Sequence, residues 1–188
     1  MILIADSGST KCDWVLIKED KSRENYLTMG FNPFFHSSEL IVNEIKKELS
    51  PKLPPSVFSE GVRSPSDNFP FSIFFYGAGC SSEKRNLVVK NALKTVFPAA
   101  EILVDHDLRA SAYSVYEGEP CIACILGTGS NSCFFDGKNI SEEVPALGYI
   151  LGDEGSGSYF GKIILRKFLY HQLPKSINST LLNEYKLT

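Results

Sequence analysis

Two short runs of small, hydroxylated and charged residues each follow an apolar stretch directly. The first is Asp6-Ser7-Gly8-Ser9-Thr10-Lys11, after Ile2-Leu3-Ile4-Ala5, and the second is Gly127-Thr128-Gly129-Ser130-Asn131, after Cys121-Ile122-Ala123-Cys124-Ile125-Leu126. Each is followed by another strand-like run, residues 12–17 and 132–135. Small residues let backbone N–H groups approach an anion and hydroxyls add donors, so two such turns suggest facing loops that clamp a polyphosphate. Asp6 can hold a magnesium ion, directly or through water, and Lys11 can meet a phosphate as a point charge. The ordinary alternatives are an Asx turn at Asp6 and a plain glycine hairpin at residues 127–129.

A second kind of chemistry is offered by Asp105-His106-Asp107, where an apolar strand gives way to a helix. A carboxylate at a helix N-terminus can take the proton of an attacking hydroxyl while phosphate is positioned beside it. Asp107 stands best for that role; helix capping is its ordinary alternative, and Asp105 competes for both. Asp153-Glu154 follows Gly152 at a helix start, where acidic side chains also suit the helix dipole. Asn32, in Gly30-Phe31-Asn32-Pro33, reads equally as a turn former. His36, His106 and His171 show no metal-ligand spacing, and Gly155-x-Gly157-x-x-x-Gly161 lacks the strand and spacing of a dinucleotide fingerprint.

These residues need a frame. Residues 2–5, 12–17 and 25–29 predict an antiparallel three-strand meander. A helix capped by Ser37 or Ser38 runs to about Leu49, with Leu40, Ile41, Ile45 and Leu49 inward, and Pro51 ends it. Residues 51–70, rich in Pro and Ser, predict a loop with a marginal strand or turn. A buried strand over 71–76, a helix over 83–96 with Leu87, Val88, Leu93 and Val96 inward, a strand over 102–104 and a helix over 107–116 follow. The order β-β-β-α-β-α-β-α is ribonuclease H-like. After Gly118-Glu119-Pro120 the pattern restarts with strands over 121–126, 132–135 and 138–144, a hairpin at Asp136-Gly137, and helices over 156–169 and 179–185. The predicted fold class is thus α/β: a ribonuclease H-like domain over residues 1–118, then the start of a second, similar domain over 119–188.

The bulk properties set bounds. The chain has 188 residues, 43% hydrophobic and 22% charged, enough to bury a core. A net charge of -3 gives no reason to expect nucleic acid. No apolar run reaches membrane-spanning length, and the N-terminus lacks a signal-peptide pattern. Five cysteines, an odd number set in apolar runs, predict free thiols in a reducing cytoplasm. Cys121 and Cys124 fall on opposite faces of one strand and read as core thiols. Trp14, Phe31, Phe34 and Phe35 are expected in the core, one of the latter three able to stack on a sugar.

A ribonuclease H-like half followed by a second half that opens the same way is the plan of the sugar kinase, Hsp70 and actin superfamily. Within it the chain resembles the N-acetylglucosamine kinases and the wider BadF/BadG-type ATPases. The resemblance rests on Asp6-x-Gly8-x-Thr10-Lys11, Asn32, Asp105-His106-Asp107-x-x-Ala110-x-Ala112, Gly127-Thr128-Gly129-Ser130-Asn131 and Gly148-x-x-x-Gly152-Asp153-Glu154-Gly155-Ser156-Gly157. It implies an ATP-dependent kinase of an amino sugar, using ATP and Mg2+. Phosphate contacts would come from Gly8, Ser9, Thr10, Lys11, Gly127, Thr128 and Gly129. Asp107 would be the base, Asp6 would organise the metal, and Asn32, Asp107, Asn131, Asp153 and Glu154 would hold the sugar. A small-molecule sugar partner and a homodimer are implied too. Ser7 and Ser9 stand where the family commonly has glycine, and Leu147 where it often has a sugar-contacting aromatic. The family's later adenosine-binding segment has no counterpart before Thr188, which implies an N-terminal portion of a longer protein, inactive alone, or a defective product. Two other readings remain: a BadF-type activator carrying an iron–sulfur cluster, and a silent sugar-binding remnant.

Overall fold

The computed structural model describes residues 1–58 and 71–187. It forms two compact units, Met1–Ser114 and Val115–Thr188.

In the first unit, β1 (Ile2–Ser7), β2 (Lys11–Ile17) and β3 (Arg23–Met29) form the expected antiparallel meander. β4 (Ser72–Gly77) and β5 (Glu101–His106) join β1 in parallel, giving a mixed sheet of order β3-β2-β1-β4-β5. Alternation decides which face is covered: Leu3, Ala5 and Ser7 of β1, Cys12, Trp14 and Leu16 of β2, and Ile73 and Phe75 of β4 are all buried. α1 (Ser38–Glu44) and α2 (Glu83–Val96) pack against each other and contribute Ile41, Val89, Ala92, Leu93 and Val96 to the same core. The Ser37 hydroxyl accepts the Leu40 N–H at 3.3 Å and caps α1. The helix then widens into a π turn, Ile45–Leu49, whose Ile45 and Leu49 are buried. Ile41, Ile45, Leu49, Leu93 and Val96 are buried as expected and Val88 is partly buried, whereas Leu40 and Leu87, also expected inward, are largely exposed and Val89 and Ala92 face the core instead of Leu87.

Trp14, Phe31 and Phe75 form the centre of this core, with ring centroids 5.9–6.4 Å apart. The Trp14 indole donates to the Thr28 hydroxyl at 3.0 Å, so no polar atom of the ring is left unpaired. Phe34 and Phe35, expected beside them, are 55% and 80% exposed. They follow Pro33 on a turn that carries them away from the sheet. Two short 3-10 turns, Ser50–Lys52 and Pro55–Val57, follow, and Leu53 and Val57 are buried there. The strand or turn expected further along this loop lies, in residues 59–70, outside the described residues.

In the second unit, β6 (Cys121–Leu126), β7 (Ser130–Phe135) and β8 (Ile140–Ser141) form an antiparallel sheet in that order. α4 (Gly148–Leu151), α5 (Gly157–Leu169) and α6 (Lys175–Asn183) follow. α4 was not foreseen, and α6 starts at Lys175, immediately after Pro174, rather than near Ser179. Ala123, Cys133 and Phe135 are buried. Cys121 and Cys124 do lie on opposite faces, but Cys124 shares an exposed face with Ile122 and Leu126 and is no core thiol. All five cysteines are free, and no described helix is long and apolar enough to cross a membrane.

Trp14→Ala is expected to cost about 3–5 kcal/mol, read from the urea midpoint, because it opens a cavity at the centre of the core.

Candidate active site

The three parallel strands of the first unit end together. Register pairs Asp6 with Tyr76 and Tyr76 with Asp105, so the acidic residues cluster at the carboxyl edge of the sheet. This edge is where open α/β sheets bind ligands.

The turn after β1 is fixed from beneath. Ser7 is buried, and its hydroxyl accepts the Phe31 N–H at 2.8 Å. Its carbonyl accepts the Ala78 N–H at 2.8 Å. The Ser7 hydroxyl is therefore not available to a phosphate; it ties the turn to the core. Gly30 crosses the same turn so closely that a Cβ would overlap the Gly8 carbonyl. Gly8, Ser9, Thr10 and Lys11 are exposed above it. The Lys11 ammonium pairs with the Asp13 carboxylate at 2.8 Å and stays largely in solvent.

Asp6 stands directly opposite Asp13 in the β1–β2 register. Burial raises the Asp6 carboxyl above its ordinary value, the Asp13 charge adds to the rise, and Lys11 opposes it. Among the described residues Asp6 has neither a hydrogen bond nor an ion pair. Like charges placed opposite one another are unfavourable, so this corner gains from a bound cation. No group of three or more His, Cys, Asp or Glu side chains among the described residues could hold a metal by itself. The donor set fits magnesium, which keeps several waters and takes one or two carboxylates together with substrate phosphates.

Asp105 and Asp107 are separated by their partners. Asp105 meets the Arg109 guanidinium at 2.7 Å and accepts the His106 N–H at 2.8 Å, so both its oxygens are occupied. Asp107, the first residue of α3 (Asp107–Val115), accepts the Leu108 N–H through Oδ1 at 3.0 Å, with His106 Nδ1 3.3 Å from the same oxygen. Its Oδ2 has no partner among the described residues. Burial pushes the Asp107 carboxyl up, His106 and the Leu108 N–H pull it back, and Asp6 adds repulsion. Asn32 is buried and is the turn former that its sequence context allowed. Its Oδ1 accepts the Phe34 N–H at 3.0 Å and its N–H donates to His36 Nδ1 at 3.2 Å. The Asn32 Nδ2 donor has no partner among the described residues.

In the second unit the glycine turn is bound by its carbonyls. Gly127 and Thr128 accept the Gly157 and Ser158 N–H groups at 2.9 and 3.1 Å. The Ser156 hydroxyl accepts the Tyr159 N–H at 3.1 Å, so the first amides of α5 are all engaged and leave none for an anion. A pocket of about 250 Å³ beside the turn is lined by Ser130, Asn131, Asp153 and Glu154 on its polar side and by Val144, Ala146 and Leu147 on its apolar side. Asn131 Oδ1 accepts the Ser132 N–H at 2.8 Å, which fixes the amide plane.

The comparisons bear on the same frame. A provisionally assigned N-acetylglucosamine kinase of Porphyromonas gingivalis is 40% identical and superposes with a TM-score of 0.86, covering 100% of this chain and 63% of its own. The resemblance read from the motifs holds along the whole chain. A provisionally assigned N-acetylglucosamine kinase of Chromobacterium violaceum (16% identity, TM-score 0.66, 97% of this chain, 62% of its own) and a provisionally assigned sugar kinase of Cytophaga hutchinsonii (17%, 0.56, 97% and 66%) share the fold. The chain spans less than two thirds of each of these relatives. No family model matches it, and no curated protein does.

Three functional contributions escaped sequence reasoning. Ser7 could have been found, because period two puts it on the Leu3–Ala5 face with its hydroxyl inward. The Asp105–Arg109 pair has the i,i+4 spacing of a helical ion pair. The engagement of the α5 amides by the glycine turn leaves no local signal.

Asp107→Asn is expected to raise stability at neutral pH. The native carboxyl binds its proton more tightly than the unfolded one, so ionisation penalises the fold as pH rises through the raised native value. Below the ordinary carboxylate value both states are protonated and the gain vanishes. Melting temperatures of both proteins across pH 3 to 8 check this; an equal difference at every pH would count against it.

Proposed function

We propose that the chain provides the catalytic face of an ATP-dependent sugar kinase that phosphorylates an amino sugar of the N-acetylglucosamine type. In this reading the first unit is the ribonuclease H-like domain of the actin-like plan, corresponding to residues 1–118, and residues 119–188 open a second domain of similar kind. The observation that carries the reading is the asymmetry of the acidic pair: Asp105 is spent on Arg109 and the His106 amide, while the partly buried Asp107 keeps one oxygen unengaged. The 40% identity to a provisionally assigned kinase supports it.

Asp107 would take the proton of the sugar hydroxyl as that oxygen bonds to the γ-phosphorus and the bond to the β–γ bridging oxygen breaks, releasing ADP. Its raised proton affinity moves it toward the operating pH, where a base is most effective. The amides of Gly8, Ser9, Thr128 and Gly129, the Thr10 hydroxyl and the Lys11 ammonium would hold phosphate oxygens, and Gly127, whose N–H is bonded to the Gly129 carbonyl, would shape the turn. Asp6 would hold Mg2+, directly or through water; when bound, the ion offsets charge on the phosphates. Asn32 and Asp107 on the first unit, and Asn131, Asp153 and Glu154 around the pocket of the second, would meet sugar hydroxyls. Asn32 fits this role, since the turn holds its Oδ1 and backbone N–H and leaves its Nδ2 donor for a ligand.

A coupled assay of ADP release against a panel of amino sugars and hexoses tests the reading. An amino sugar should stimulate release, and Asp107→Asn and Asp107→Ala should each lower the rate by roughly 10²–10⁴-fold. Stimulation by no sugar, or near-normal turnover in either variant, would sink it.

A further inference from the structure

Asp153 does something that a sugar-binding carboxylate need not do. Its Oδ1 accepts the Ser130 N–H at 3.1 Å, reaching back 23 residues to the end of the glycine turn. That bond is the only side-chain hold on the turn among the described residues. The others are backbone bonds: Gly157 and Ser158 to the Gly127 and Thr128 carbonyls, and the Gly127 N–H to the Gly129 carbonyl at 2.9 Å. Once these are counted, the Thr128 and Gly129 amides alone in the turn have no partner among the described residues. Those are the two donors that a phosphate would need.

Two further features belong to the same contact. Asp153 sits in the left-handed region with φ of 62°, which Asp and Asn tolerate better than most residues carrying a Cβ. The chain reversal there is closed by the Ser156 N–H on the Asp153 carbonyl at 3.0 Å. Opposite it, position 129 has no room for a side chain: a Cβ would lie 2.9 Å from Asp153 Oδ1 and 3.3 Å from Oδ2. The missing Cβ on one side and the carboxylate on the other are halves of one fit.

We propose that Asp153 is a positioning residue for the phosphate turn: through Ser130 it fixes the peptide planes that leave Thr128 and Gly129 N–H groups unpartnered. This rests on the reading of that turn as phosphate-binding. The acceptor oxygen does the work, and the negative charge is dispensable beside a polyphosphate. Asparagine therefore serves in its place, because it keeps Oδ1 and adopts the left-handed backbone as readily. Glycine adopts the same backbone and has no acceptor, so Asp153→Gly removes the hold without straining the fold.

Amide hydrogen exchange read by NMR on the full chain tests this without needing turnover. Asp153→Gly should speed Ser130 exchange by about tenfold, the worth of one hydrogen bond, and Asp153→Asn should leave it near the parent value. Gly129→Ala, which displaces the carboxylate from the other side, should reproduce the glycine variant. Mg-ATP should slow Thr128 and Gly129 exchange in the parent and in Asp153→Asn, and much less in Asp153→Gly. Unchanged Ser130 exchange in Asp153→Gly would overturn the proposal, as would an asparagine variant that behaves like the glycine one. If Ser130 responds as expected but Mg-ATP protects neither amide in the parent, the phosphate reading fails and the positioning role falls with it, although the bond itself is real.

Discussion

Backbone crosses backbone where the chain leaves β3 and passes the turn after β1, and Gly30 makes the crossing feasible by having no side chain. Everything at the acidic edge of the first unit is referred to this point. The Ser7 hydroxyl holds the Phe31 amide, the Phe31 ring locks into Trp14 and Phe75, and Asn32 begins the turn that leads to α1. The exposed residues 8–11 therefore ride on the buried aromatic cluster of the first unit. Interiors are close to crystalline in density, so a loop anchored this way inherits the rigidity of the core beneath it.

The electrostatics follow from that rigidity. Asp6 and Asp107 are held where partial burial raises their proton affinity, with the Asp13 charge adding to the rise at Asp6 and the Asp6 charge adding at Asp107. Arrangements of this kind cost stability and are typical of sites that must receive a charged ligand. His106 tempers the cost at Asp107, as Lys11 does at Asp6. Arg109 pairs with Asp105, and the result is two acidic side chains two residues apart with different partners.

The strands of the first unit could be read to within two residues at each end, because alternation of Leu3, Ala5 and Ser7 or of Cys12, Trp14 and Leu16 is a direct print of one covered face. The helix over 83–96 was equally legible and runs over Glu83–Val96. Less could be told of the polar groups. A sequence shows that Asn32 and Asp153 can bond, but which oxygen is engaged depends on partners 2 residues away in one case and 23 in the other. Phe34 and Phe35 were misread for a related reason: hydrophobicity predicts burial only where the backbone returns to the sheet, and Pro33 directs it outward. Cys124 was misread because β6 is covered mainly on its Ala123 face, whereas a strand of continuous apolar residues suggests cover on both.

The register of the parallel strands acts as a ruler. Asp6 and Asp105 are level with each other across β4, two inter-strand spacings apart, or about 10 Å of backbone separation. That span is set by the sheet's hydrogen bonds and owes nothing to the lengths of the connecting segments. Insertions or deletions in the long connection between α1 and β4 would leave it untouched. Loss of a single residue inside Ile2–Ser7 would turn the Asp6 carboxylate onto the opposite face of the sheet. Natural length variation in proteins of this plan should accordingly fall in the connections and spare the strands.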